Sequence, residues 1–211
     1  MHAEVLPPAQ QSCLERLGPA ADRLGFYLAG GTAVAVHLGH RRSVDFDWFT
    51  PAFPVSAVEL ADEFRGAGVE LQPVSLADRT LHATADGVRV TLLEFRPPVL
   101  VPPVPWPRFG CRLAALEDLA AMKLLAVAQR GTKKDFIDVH AIGARFGLSE
   151  MLGFYRLKFG IADVGRILAG LTYFDDAESD PMPSMLVPTS WEIVKGDLRD
   201  RVRRFASPGD V

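Results

Sequence analysis

The sequence predicts an α/β (α+β) fold, a mixed-sheet core over residues 1–108 followed by a helical lobe over residues 109–211. Three observations carry this reading. Up to residue 95, short apolar or alternating runs exchange with helical patterns and are punctuated by glycines. Residues 96–107 then hold six prolines in twelve positions, which suits neither a helix nor a central strand. From Leu113 onward the periodicity is helical.

Taken in order, residues 9–24 have a helical pattern interrupted by Gly18-Pro19, which predicts a break or two short helices. Phe26-Tyr27-Leu28-Ala29 is a short apolar strand that runs into Gly30-Gly31-Thr32. An unbroken stretch from Ala33 to Leu38 then reads as a short helix ending at Gly39. In residues 43–49, Val44, Phe46 and Trp48 alternate with Ser43, Asp45 and Asp47, the pattern of a strand with one buried face. Ser56 caps a helix reaching Gly66, with Val58, Leu60, Ala61 and Phe64 expected inward. Residues 69–75, 80–84 and 88–95 read as strands, the last two joined by a turn at Ala85-Asp86-Gly87. After the proline-rich boundary, helices are expected over 114–130, 132–146, 149–159, 161–173 and 190–205. The acidic, proline-containing stretch from Asp175 to Pro188 reads as an exposed loop.

Composition narrows the class. A chain of 211 residues with 48% hydrophobic and 23% charged residues is ordinary for a globular protein. A net charge of −3 gives no overall nucleic-acid footprint, so any RNA contact has to come from local basic patches. Cys13 and Cys111 form neither a disulfide framework nor a zinc spacing, as expected of thiols in a reducing compartment. With no signal-like N-terminus and no long apolar span, the chain is expected to be cytoplasmic, without a membrane partner.

The chemistry concentrates in two places. Asp45 and Asp47 on one strand face would lie roughly 6 to 7 Å apart. Two like charges that close call for a cation, and a hard divalent ion such as Mg²⁺ fits oxygen ligands best. Just upstream, the paired glycines allow close backbone approach, and the helix start offers N–H groups to a phosphate. The second place is residues 119–128, which carry one charge, Lys123, in ten positions. That lysine either reaches an edge or meets an anion, and the proposed anionic site favours the second. Thr132 and Asp135 have the spacing of a capping box, which gives Asp135 a structural explanation. Asp138 would pair with Lys134 one turn back or face Lys123 across a helical hairpin closed by Gly131. Arg130, Lys133 and Lys134 make the hairpin tip basic, which suits a triphosphate or an RNA end.

Together, Leu28-Ala29-Gly30-Gly31-Thr32 and Arg42-Ser43-Val44-Asp45-Phe46-Asp47 resemble the opening motif of the polymerase-β-like nucleotidyltransferases. Residues Leu116 to Lys123, with Lys133-Lys134-Asp135-Phe136-Ile137-Asp138, are similar to the AbiEii-like nucleotidyltransferase toxins of bacterial abortive-infection and toxin–antitoxin systems. The resemblance spans about residues 26 to 142. It implies an Mg²⁺-dependent transfer of a nucleoside monophosphate from an NTP to an acceptor such as a tRNA end or another RNA, restrained by a cognate antitoxin protein. By that resemblance Gly30, Gly31 and Thr32 touch the nucleotide phosphates and Ser43 lines the site. Asp45 and Asp47 hold Mg²⁺, in a one- or two-metal site. Lys123 and Lys134 face the phosphates, and Asp138 or Asp135 closes the site from the helical half.

One departure stands out. The superfamily usually supplies a third carboxylate from a later strand, where this chain has Thr91. Glu94 lies three residues on and faces the other way unless a bulge intervenes. Either Glu94 joins the metal site through a bulge, or one metal is fully held, or the chain is a weak or inactive NTP- or RNA-binding module. A phosphohydrolase is disfavoured, because His37, His40, His82 and His140 are scattered rather than clustered.

Overall fold

The computed structural model describes residues 1–77 and 79–207. Its centre is one seven-stranded sheet in the order β3-β4-β5-β2-β1-β7-β6. The strands are β1 (Tyr27–Ala29), β2 (Phe46–Thr50), β3 (Gln72–Ala77), β4 (Thr80–Ala85), β5 (Val88–Glu94), β6 (Val104–Trp106) and β7 (Cys111–Leu113). β2 runs parallel to β5 and β1 parallel to β7, while the remaining pairs are antiparallel, so the sheet is mixed. The β4–β5 hairpin turns on Asp86 and Gly87, both at positive φ, as a two-residue turn between right-twisted strands demands.

The first helix, α1 (Pro8–Arg23), runs straight through Pro19. The expected break is absent because tertiary packing compensates the proline. Gly18 lies so close to the Phe109 carbonyl that no side chain fits there, and the Pro19 ring packs over Gly110. α2 (Gly30–Leu38) begins at Gly30 itself, so the glycine turn is the helix's first turn, and Gly39 ends it in the left-handed conformation. α3 (Ala57–Gly66) carries the Ser56 cap as a full capping box with Glu59. Its Leu60, Ala61 and Phe64 are buried, but Val58 faces solvent, one position outside the inward stripe.

The proline-rich stretch does not sit outside the sheet. β6 lies within it and forms an edge strand, where a missing N–H is tolerated, and β7 beyond it pairs with β1. The sheet therefore crosses residue 108. The preceding residues are pinned by Asp118, which accepts hydrogen bonds from the Leu100 and Val101 amides and from Lys158 Nζ.

The helical half comprises α4 (Leu116–Gln129), α5 (Lys133–Ile142), α6 (Leu148–Phe159), α7 (Gly165–Gly170), α8 (Asp175–Glu178) and α9 (Trp191–Ala206). α4 is apolar nearly all round and buries Leu119, Ala120, Ala121, Leu124 and Val127 in the core. α2 meets β1, β2, α4 and α5, so its two ends join the sheet to the helices. The stretch expected as an exposed loop after residue 174 is mostly exposed, but it opens with α8 and then runs along residues 40–42. Arg41 bridges Met185, the Arg42 amide donates to the Ser184 carbonyl, and the Leu186 and Val187 amides donate to the His40 carbonyl. Asp175, Asp176 and Glu178 are exposed, as expected, while half-buried Asp180 accepts from the Lys133 amide and the Glu178 and Asp180 main-chain carbonyls accept from Lys133 Nζ. No described helix is long and apolar enough to cross a membrane. Cys13 and Cys111 are free and buried, and burial pushes their thiols up to about 11 and about 12.

Candidate active site

A polar cavity of about 380 Å³ opens where the N-terminus of α2, the start of β2 and the α4–α5 hairpin converge. Gly31, Thr32, Ser43, Asp45 and Asp47 line it from the sheet side; Lys123, Arg130, Lys134 and Asp135 line it from the helical side. Segments far apart in sequence are brought together here by α2, which packs on β1 and β2 and reaches α4 and α5.

Asp47 lies within β2 and Asp45 just before it. The alternation stops at the strand's start. Val44 is 41% exposed rather than buried with Phe46 and Trp48, because Thr32 Oγ1 holds the Asp45 carbonyl and turns the chain there. Asp45 is paired bidentately by Arg89 of β5, with Nε–Oδ1 at 2.8 Å and Nη2–Oδ2 at 3.0 Å. Asp47 meets no hydrogen-bond donor among the described residues. Burial pushes its carboxyl up, Lys123 pulls it back in part, and the charge of Asp45 adds to the rise. Its carboxylate lies against the Gly30 Cα, where any side chain would collide with it, and Gly30 holds φ at +62°. Gly30 therefore backs Asp47 instead of forming the cavity wall. Thr32 and Ser43 share a hydroxyl–hydroxyl bond of 2.7 Å, so Thr32 ties the start of α2 to the Asp45 segment.

Lys123 is buried and meets two anions: Nζ is 2.9 Å from Asp135 Oδ1 and 2.7 Å from Asp138 Oδ2. Burial alone would push this ammonium down, but Asp138 and Asp135 outweigh it and hold it above its ordinary value. Asp138 is fully buried behind Lys123 and does not reach the cavity. It accepts from Arg41 Nε at 2.7 Å, Arg41 Nη2 at 2.8 Å and His40 Nε2 at 2.8 Å. Against the cost of burial, Lys123 and Arg41 hold its carboxyl far below the usual carboxylate range. The role expected of Asp138, closing the site directly, is thus corrected to that of a buried hub. The Thr132–Asp135 capping box does not form either. Thr132 Oγ1 donates to Asp135 Oδ2 at 2.7 Å, and Arg130 Nε donates to the same oxygen at 3.1 Å. Lys134 remains on the cavity wall, while Lys133 is turned away toward the Glu178 and Asp180 carbonyls.

Glu94 is not part of this cavity. β2 and β5 pair without a bulge, with Asp47 opposite Thr91 and Thr50 opposite Glu94. Glu94 instead pairs with Arg79 and Arg96 in a separate pocket, and those contacts bring its carboxyl down to about 2. Glu94→Gln is accordingly expected to leave turnover nearly unchanged, far from the roughly hundredfold loss of a positioned base. A steady-state comparison of the two proteins checks this, and a loss of that size would refute the placement. Thr91 does line the cavity, with its hydroxyl 3.3 Å from His82 Nδ1.

A metal's fit depends on these carboxylates. No described group of three or more His, Cys, Asp or Glu side chains is arranged for a metal. Asp45 and the unpartnered, partly desolvated Asp47 suit one hard cation whose remaining positions go to water and substrate oxygens. A second ion would lack the third carboxylate.

Sequence reasoning missed Arg41, His40 and Arg89. Arg41 has only the neighbouring Arg42-Ser43 as a signal, and Arg89 shares the cavity face with Thr91 two positions on.

Comparisons with known proteins agree with this arrangement. The family model described as "Nucleotidyl transferase AbiEii toxin, Type IV TA system" matches residues 12–205. An uncharacterized protein of Aquifex aeolicus (strain VF5), aq_aa25, is 31% identical over 203 residues, covering 95% of this chain and 97% of that one. Among solved structures, MenT4, a nucleotidyltransferase toxin from Mycobacterium tuberculosis H37Rv, superposes with a TM-score of 0.62 at 16% identity, over 96% of this chain and 84% of that one. JHP933 from Helicobacter pylori gives 0.55 at 13% identity, over 99% and 94%. These last two likenesses are of fold.

Proposed function

Because the chain belongs to the nucleotidyl transferase AbiEii toxin family and is a nucleotidyltransferase, we propose that the cavity carries out Mg²⁺-dependent transfer of a nucleoside monophosphate from an NTP to an RNA end, such as that of a tRNA. The observation that carries this reading is the meeting, in one cavity, of Asp45, Asp47 and a helix N-terminus from the sheet side with Asp135 and three cationic side chains from the other half of the chain.

Asp45 and Asp47 would hold the metal, whose charge would offset that developing on the α-phosphate oxygens during in-line displacement. The first-turn N–H groups of α2 point their partial positive charge at the triphosphate. Lys123, Arg130 and Lys134 add full charges from the facing wall. Asp135 and Asp138 already orient Lys123, and Asp135 orients Arg130, so these two need little rearrangement. Arg89 compensates Asp45 on the side where the superfamily's third carboxylate is replaced by Thr91. On this reading the chain works as a nucleotidyltransferase core and a helical lobe with the site in the cleft between them, and as a toxin kept in check by an antitoxin.

Incubating the protein with each α-labelled NTP, Mg²⁺ and total RNA tests the reaction. Label is expected to enter RNA with one or a few of the NTPs. NTP and Mg²⁺ binding without any label transfer would favour the non-catalytic module instead.

Lys123→Met tests the phosphate role. NTP affinity is expected to fall while the fold persists, since Asp135 keeps Arg130 and Thr132 and Asp138 keeps Arg41 and His40. A modest drop in melting temperature should accompany it, because two buried carboxylates each lose a partner. Unchanged NTP affinity by calorimetry would remove Lys123 from the phosphate site.

A further inference from the structure

A second cavity lies on the opposite side of the Asp138 hub, between α5, α9 and the strap of residues 185–189. We propose that it binds a small amphipathic molecule, with an apolar body, a polar group directed at His40 and an anionic end at Arg145.

The cavity measures about 480 Å³, within the usual range for small-molecule sites. Its walls are mainly apolar, from Leu38, Ile137, Ala141, Met185, Val187 and Ile193. Polar atoms there have been left without partners. Among the described residues four buried side-chain nitrogen or oxygen atoms lack a hydrogen bond, and two of them, His40 Nδ1 and Thr189 Oγ1, belong to residues lining this cavity. Buried polar atoms are nearly always satisfied in folded proteins, so two orphans around one hole call for an occupant. An ionised carboxylate only accepts, so His40 Nε2 must carry the hydrogen that faces Asp138. Nδ1 is then the ring nitrogen left for an occupant, and the Thr189 hydroxyl can donate or accept. Arg145, exposed at the mouth, forms no ion pair among the described residues and is available to an anionic end.

His40 joins the two cavities. One nitrogen lies on Asp138, which holds Lys123, and the ring itself lines the second cavity. Occupancy that moves the ring would be felt at Lys123. That link rests on the reaction proposed above, whereas binding in the second cavity does not.

A suitable probe is 8-anilinonaphthalene-1-sulfonate, which combines fused rings, one N–H and a sulfonate. Titration of the full chain is expected to give saturable fluorescence at one equivalent, with a shift of the His40 ring nitrogens in ¹⁵N spectra. Ala144→Trp, in the turn after α5, and Val187→Trp, in the strap, narrow the cavity and should each weaken binding by about tenfold or more, with circular dichroism confirming that the fold is kept. Absent or unsaturable binding, binding indifferent to both tryptophans, or unmoved His40 nitrogens would overturn the proposal. An ordered water alone in the cavity predicts the first of these. A separate NTP titration keeps the two readings apart. Failure to bind any NTP counts against the transferase site and leaves the cavity result standing.

Discussion

Asp47→Asn is expected to reduce nucleotide transfer by roughly a thousandfold or more while raising the melting temperature of the metal-free protein. Loss of a ligand that places a metal's charge removes several kcal/mol of transition-state stabilisation, at about 1.4 kcal/mol per tenfold. The stability effect has the opposite sign because burial holds the Asp47 carboxyl above its ordinary value. A raised carboxyl destabilises the fold wherever it is ionised. The penalty appears as pH rises through the unfolded value and is complete above the folded one. Asparagine keeps the shape and removes that penalty. Asp45→Asn should behave differently in the metal-free state, since it loses only an exposed pair with Arg89. Calorimetric Mg²⁺ or Mn²⁺ titrations and thermal melts of both variants decide the matter. A marked loss of metal-free stability in Asp47→Asn would assign it a structural role.

Asp138→Asn should be among the most damaging single changes to the fold, costing about 3–5 kcal/mol, as expected when one partner of a buried ion pair is removed. Lys123 and Arg41 would both remain buried beside a neutral amide whose N–H₂ faces donors. In the wild type the depressed carboxyl of Asp138 contributes stability that is complete above about pH 4 and is lost as pH falls through its folded value. The variant should lack that part of the acid limb. Denaturant midpoints measured between neutral and acid pH read both effects. A variant with wild-type midpoints would show that Asp138 is not the hub of the network.

Much of this site was legible because its chemistry is local in sequence. The glycine pair, the two aspartates and the Ser56 capping box each lie within a few residues, and Asp86-Gly87 announces its own turn. The pairing of Lys123 with Asp138 was within reach because Gly131 closes the hairpin between them. The partners of Asp138 from the other half were not, since His40 and Arg41 lie 98 and 97 residues away, and no periodicity links them. Asp135 misled for a different reason. Its spacing from Thr132 copies a capping box, yet burial beside Lys123 and Arg130 gives its carboxylate stronger partners than a backbone amide. The proline run misled because composition excludes a central strand but permits an edge strand. Val44 was misplaced by carrying the alternation two residues past the strand's true start.

The strap at residues 184–187 bears on how the protein emerges from the ribosome. Its amides and carbonyls complete the backbone hydrogen bonding of residues 40–42, the segment that presents His40 and Arg41 to Asp138. During synthesis the first forty residues, the sheet and the α4–α5 hairpin all leave the exit tunnel before the strap exists. Until it arrives, the segment carrying two of Asp138's partners has an unfinished backbone. Nascent chains stalled with the α4–α5 hairpin outside the tunnel and the strap still inside it should therefore hold an open, poorly ordered pocket, and chains stalled after α9 has emerged a closed one. A nucleotidyltransferase built in this way would gain its competent geometry only once the strap has been made and has closed on residues 40–42.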